Sequence, residues 1–208
     1  MHPLDNKHID WTEIVEAMRV ARDSARGYAD YWDWQPDRKV AERQVAAVLF
    51  SYLEKKDRFQ PKSLRSVAND PPDVEITTGD NRKIGVEVTE LVDSEAVKAH
   101  RHFGKAGNHN SYDWADWSVD RVASEISKRI AKKDRKLAAA TTEFDELIIA
   151  IVTDEPMIDE ALASKALLDV SINVKHIDRA YLILSYSPAA DMSVYPDGCP
   201  ILQISLMS

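Results

Sequence analysis

Apolar positions first recur at helical spacing over residues 10–30, where Trp11, Ile14, Val15, Met18 and Ala25 share a face. Asp10 with Glu13 gives this stretch a capping-box start, and Gly27 marks its end. The aromatic connector Tyr31-Trp32-Asp33-Trp34-Gln35-Pro36 follows, with rings expected to pack the helix onto the body rather than to stack on bases. The pattern predicts a second helix over 38–57, capped by Asp37, with Ala46, Leu49 and Leu53 inward and Val45 and Phe50 beside them. Residues 58–72, with Pro61, Pro71 and Pro72, read as a connector. The period then changes from helical to alternating. Strands are expected over 73–78 and 82–90, joined by the turn residues Gly79, Asp80 and Asn81. Residues 93–116 read as a long polar loop. A helix over 117–138 turns Val122, Ile126, Ile130 and Leu137 inward. A buried strand over 146–152, a helix over 157–170 and strands over 179–185 and 200–206 complete the chain. Continuous apolar strands separated by helices predict an α/β protein whose sheet is covered on both faces.

The 208 residues suffice for one domain with a proper core. The expected division is an N-terminal helical extension over 1–36 and a main domain over 37–208. Hydrophobic residues make up 44% and charged residues 30%, as in globular proteins. No apolar run approaches the ~18 residues of a membrane span, and the first residues lack a signal-peptide pattern. The expectation is a cytoplasmic protein without a membrane partner. The lone Cys199 excludes an internal disulfide framework and a cysteine-rich zinc site. A net charge of −8 argues against broad electrostatic nucleic-acid binding and leaves room for a local basic groove. His100, His102 and His109 lack the spacing of an established zinc motif. Their segment also carries Lys98, Arg101 and Lys105, which could meet nucleic-acid phosphates.

The chemistry concentrates in residues 72–90. Side chains alternate along a strand, so Asp73, Glu75 and Thr77 share one face, and Lys83, Gly85, Glu87 and Thr89 share one face of the next. A three-residue hairpin loop pairs Thr78 with Arg82 and sets Asp73 opposite Glu87. A two-residue loop would put Val74 on Glu87's face, so the burial of Val74, Ile76, Ile84, Val86 and Val88 together selects the three-residue loop. Two opposed carboxylates repel, and a hard divalent cation such as Mg²⁺ would relieve that repulsion. A solvated acidic strand face is the simpler alternative. On the helix over 38–57, Glu42 points within about 20° of Leu49 and Leu53 and could add a third oxygen. It could equally sit at the wet end of the stripe.

Pro72-Asp73 followed by Glu87-Val88-Thr89 after a short hairpin resembles the PD-(D/E)xK nuclease superfamily. The order helix, strands, helix, strand over about 38–153 is similar to that family's. The resemblance implies a restriction-endonuclease-like mixed β-sheet flanked by helices, here with an added N-terminal helix. It implies that Asp73 and Glu87 bind Mg²⁺ or Mn²⁺, helped by the Val88 backbone carbonyl, and Glu42 matches an acid often found on the first core helix. The family's lysine, two positions after the second acid, is Thr89 here. A lysine from a neighbouring helix can replace it in this family. Relative to Ile126, Lys133 lies at about −20°, between Ile130 and Val122 on the inward stripe, whereas Lys132 lies about 120° away. Lys133 therefore either serves as the displaced lysine or snorkels from the helix end. Lys83 shares Glu87's face but lies about 13 Å along the strand.

Two functions follow. One is a metal-dependent endonuclease that hydrolyses phosphodiester bonds of DNA, with RNA as the second choice. In it Asp73, Glu87 and Glu42 hold the cation, Lys133 supplies positive charge and Thr89 orients a water. The other is a nuclease-fold protein that has lost catalysis and acts as a protein-binding or immunity/regulatory module. A protein partner or a homodimer is compatible with either. Thr89 and the net charge favour the second, and the acidic trio favours the first.

Overall fold

The computed structural model describes residues 38–68, 71–104, 115–139, 143–168, 170, 172–185, 187, 191, 193–195 and 198–207, with backbone alone for 100–104. The expected extension over 1–36, with its aromatic connector, lies outside the described residues, as do Lys105 and His109.

The chain runs α1 (Arg38–Asp57), β1 (Pro61–Ser66), β2 (Val74–Thr78), β3 (Lys83–Glu90), α2 (Ser94–Gly104), α3 (Val119–Leu137), β4 (Glu146–Thr153), α4 (Glu160–Leu168), β5 (Ile172–Asn173), β6 (Arg179–Leu184), β7 (Ile201–Ile204) and β8 (Leu206–Met207). Six strands form one mixed sheet in the order β1-β2-β3-β4-β6-β7, and β5 pairs with β8 in a separate ribbon. The hairpin strands β1, β2 and β3 are antiparallel, whereas β3, β4 and β6 run parallel. Parallel neighbours need crossover connections, and the helices between them supply these. The two faces of the sheet bury different helices. Val45, Leu49 and Leu53 of α1 pack on Val74, Ile76, Ile84, Val86 and Val88. Val122, Ile126 and Ile130 of α3 and Ala163 and Ala166 of α4 pack on Ile149, Ile151, Leu182 and Leu184. Fully burying one such aliphatic is worth about 1.5–3 kcal/mol, so a one-residue slip that turned a strand's set outward would cost more than the fold can bear.

Helix α1 begins and ends where the apolar spacing places it. Ser118 caps α3 by accepting from the Arg121 N–H at 3.2 Å. Three expectations are corrected. The connector 58–72 contains β1, an edge strand whose only large apolar side chain is Leu64, so no buried stripe announces it. Residues 94–104 are helical rather than loop. Asp93 starts that helix, its Oδ1 accepting from the Glu95 and Ala96 N–H groups at 2.8 Å each. The strand expected over 200–206 divides, its end leaving the main sheet to pair with β5.

Close packing beside the hairpin requires glycine at 85. A Cβ there would lie 2.6 Å from Leu147 Cδ2, 2.9 Å from Pro72 Cγ and 3.3 Å from Phe144 Cδ1.

Candidate active site

The β2–β3 hairpin closes through Thr78 N–H to Arg82 O at 3.0 Å and Asn81 N–H to Thr78 O at 2.9 Å. Gly79, Asp80 and Asn81 form the three-residue loop, and Asn81 takes φ 65°, a left-handed conformation that asparagine tolerates. Val74 pairs with Val86, Glu75 with Gly85, Ile76 with Ile84 and Thr77 with Lys83, the register that the aliphatic pattern selects. Because Thr78 and Arg82 form a hydrogen-bonded pair, positions 73 and 87, one step past the last pair, fall at a non-hydrogen-bonded site, where side chains lie closest. Positions 72 and 88 would be the next hydrogen-bonded pair, but Pro72 has no N–H to give. Val88 makes other bonds. Its N–H donates to Asp73 Oδ2 at 2.8 Å, and its carbonyl accepts from Lys133 Nζ at 3.1 Å.

Three carboxylates are withdrawn from water here: Glu42 and Asp73 are each 1% exposed, and Glu87 is fully buried. In each, one oxygen accepts a hydrogen bond and the other accepts none. Glu87 Oε1 accepts from Lys133 Nζ and, at 3.0 Å, from Lys136 Nζ. Asp73 Oδ2 is held by Val88. Glu42 Oε1 accepts from Arg38 Nε at 2.8 Å. Lys39 Nζ stands 3.2 Å from Glu42 Oε2 as an ion pair without hydrogen-bond geometry. Glu42 Oε2, Asp73 Oδ1 and Glu87 Oε2 are three of the four buried side-chain polar atoms without a hydrogen-bond partner among the described residues, the fourth being Trp117 Nε1. An unsatisfied buried polar atom costs about 1–3 kcal/mol, and three of these four lie on the three carboxylates. The strain shows in Asp73. Burial first, then the Glu87 charge, push it up to about 6, with Glu42 adding to the rise, while the Val88 N–H and Lys133 oppose it.

Lys133 does not snorkel to water. Its side chain is 12% exposed and bridges the acid to the strand backbone. Lys136 joins it on Glu87, a residue that the helical angles did not single out. Thr89, Glu90, Glu125, Lys128, Arg129, Lys132 and Lys133 line a cleft of about 360 Å³ at the end of β3. Arg129 is fixed there, its Nε donating to Glu90 O at 2.8 Å. Other residues of the hairpin face lie apart from this group: Glu75 pairs with Arg65 at 2.8 Å, and Lys83 sits exposed at the far end of β3. His100, Arg101 and His102 fall on α2, and Lys98 pairs with Glu95 at 2.9 Å.

All the free donors are oxygens, the ligands that Mg²⁺ and Mn²⁺ prefer, and the Val88 carbonyl adds another beside them. Among the described residues no three His, Cys, Asp or Glu side chains are already gathered around one point, with Glu87 held by lysines instead. The residues thus fit a hard cation by chemistry and by their unsatisfied atoms. Among the described residues no helix is long and apolar enough to cross a membrane. Compared with known protein families, curated protein sequences and solved structures, the chain matches none of them.

Proposed function

We propose that the protein is a metal-dependent nuclease that hydrolyses phosphodiester bonds, in DNA before RNA, on a core of the restriction-endonuclease-like kind. The observation that carries this reading is the trio of buried carboxylates, each with one oxygen fixed by a donor and one left unsatisfied. Asp73, Glu87, Glu42 and the Val88 carbonyl would hold Mg²⁺ or Mn²⁺. Such an ion supplies Lewis-acid polarisation of the phosphate and acidifies water at the site. The Val88 N–H turns Asp73 so that Oδ1 is the oxygen on offer. Lys133 keeps a positive charge beside the acids, where a phosphate would gain negative charge. The Thr89 hydroxyl, two residues on from Glu87 and on the cleft wall, can orient a water. Lys128, Arg129 and Lys132 give the cleft the cationic lining that flanking phosphates require, despite the acidic chain.

The second reading is a nuclease fold without catalysis, acting through a protein partner. The pair of ammonium groups on Glu87 supports it, since they neutralise the acid without any metal. One assay separates the two: cleavage of single- and double-stranded DNA and of RNA with Mg²⁺, with Mn²⁺ and with EDTA. The nuclease cleaves with metal, stops with EDTA and loses cleavage in Asp73→Asn and Glu87→Gln. A folded parent that cleaves nothing under any of these conditions establishes the second reading.

A further inference from the structure

Two residues one turn apart on α3 reach the end of β3. Lys133 bonds Glu87 and the Val88 carbonyl. Arg129 bonds the Glu90 carbonyl through Nε at 2.8 Å and the Val92 carbonyl through Nη2 at 3.3 Å. The order reverses along the two elements, as a crossover helix running back beside its strand requires. Between those two carbonyls Leu91 is fully buried, and its N–H donates to Val152 O at 2.8 Å. Arg129 Nη1 turns the other way, to Glu125 O at 3.1 Å and to Glu125 Oε2. A guanidinium has five N–H donors, and Arg129 makes four bonds within the protein. With its side chain 19% exposed, it has little left to bond a phosphate directly. Burial of Val122, Ile126 and Ile130 presses α3 onto the sheet, but apolar burial has no direction. A lysine is a flexible stem ending in a point charge, whereas the guanidinium is a planar, pre-organised fork. Of the two residues, Arg129 is the one suited to fix the helix against the strand.

Resting on the nuclease reading above, we infer that Arg129 is a positioning residue whose fork fixes α3 against residues 90–92 and so keeps the Lys133 ammonium on Glu87 and Val88. Charge alone works in the opposite sense. Arg129 and Lys133 carry like charges one turn apart, so removing the guanidinium charge favours the Lys133 ammonium where it stands. A loss of Lys133 from its partners when Arg129 is replaced therefore reports geometry.

The test follows Lys133 itself. In the full-length protein labelled with ¹⁵N-lysine, its hydrogen-bonded ammonium should give a resonance protected from exchange with water, assigned by its loss in Lys133→Arg. In folded Arg129→Gln that resonance should vanish. With Mg²⁺ and DNA, Arg129→Gln should lower turnover about tenfold and leave KM within about twofold. In Lys133→Ala the same change should cost nothing more, because its effect runs through that ammonium. If Arg129→Gln misfolds, Arg129→Met, which keeps the apolar stem, is read in the same way. A Lys133 resonance retained in the folded variant, or a loss of turnover that adds in full to that of Lys133→Ala, overturns the positioning role and leaves the nuclease reading standing. A parent that cleaves nothing, with the resonance still lost in Arg129→Gln, overturns the nuclease reading and leaves Arg129 holding Lys133. A parent that cleaves nothing and a resonance that persists overturn both.

Discussion

Glu87 and Glu146 are both buried glutamates on neighbouring parallel strands, and both meet two cations. Glu146 divides its oxygens between them: Oε2 accepts from Arg82 at 3.0 Å, and Oε1 accepts from Arg179 Nε. Arg179 is further fixed by Asp57 at 2.7 Å and by the Tyr181 hydroxyl at 3.2 Å. Every acceptor there is used, by planar guanidinium groups whose geometry suits a carboxylate. Glu87 receives flexible ammonium groups on one oxygen and none on the other. Burial and charge pairing alone therefore do not tell these two glutamates apart. The saturation of individual oxygens does.

The sharpest way to break this contrast is to neutralise each acid in turn. Glu87→Gln should lower metal-dependent cleavage by about a thousandfold while the protein remains folded, because it removes a ligand and charge from the reacting centre. Glu146→Gln should do the reverse. It leaves two guanidinium groups undercompensated, so unfolding in urea should reveal a loss of about 2 kcal/mol, with cleavage per folded molecule retained. Equal effects of the two substitutions on cleavage would erase the distinction.

Lys133→Ala should cost about 3 kcal/mol in the transition state, or about a hundredfold in turnover. Thr89→Lys, which restores a lysine two residues after Glu87, should recover part of that loss. No recovery would mean that Lys133 serves Glu87 and Val88 rather than the phosphate.

The register behind these assignments was legible because alternation, loop length and five aliphatics all demand the same pairing. Lys133 was legible from its helical angle. Lys136 was not, because at about −80° from Ile126 it lies beyond the apolar stripe, and only its long side chain at the helix end brings it to Glu87. Helix α2 was hidden by polar composition, although Asp93 with Glu95 and Ala96 spelled its cap. Strand β1 had no periodic signal, because pairing at a sheet edge asks little of its side chains.

A smaller effect concerns pH. Asp73 sits at about 6 in the folded protein against an ordinary 3.8, so the fold binds its proton more tightly than the unfolded chain does. The stability that this protonation contributes is complete below about pH 4 and is lost as pH rises toward 6. Asp73→Asn should remove that slope and exceed the parent in stability at pH 7, by up to about 3 kcal/mol in urea titrations. Metal binding should weaken below pH 6, where Asp73 keeps its proton. A parent whose stability is flat across pH 4–7 would place the strain elsewhere.

The smallest expected effect lies in the cleft. Lys128→Ala and Lys132→Ala should each reduce the slope of log affinity for DNA against log salt by about 0.7–0.9. They should weaken binding evenly across sequences. An unchanged slope would move the phosphates off α3.

Gly85 carries no functional group and faces Glu75 rather than the paired acids. Yet a methyl at that position would press on Pro72, the residue that precedes Asp73. A random-mutagenesis map scored by activity would therefore mark position 85 as essential. It would tempt a reader to assign chemistry to a residue that has no side chain to perform it. The same map scored by fold stability would show why: the acid would still be present and the damage would lie in packing against Pro72 and Leu147. What position 85 contributes is empty volume, and no substitution with a larger residue can imitate that.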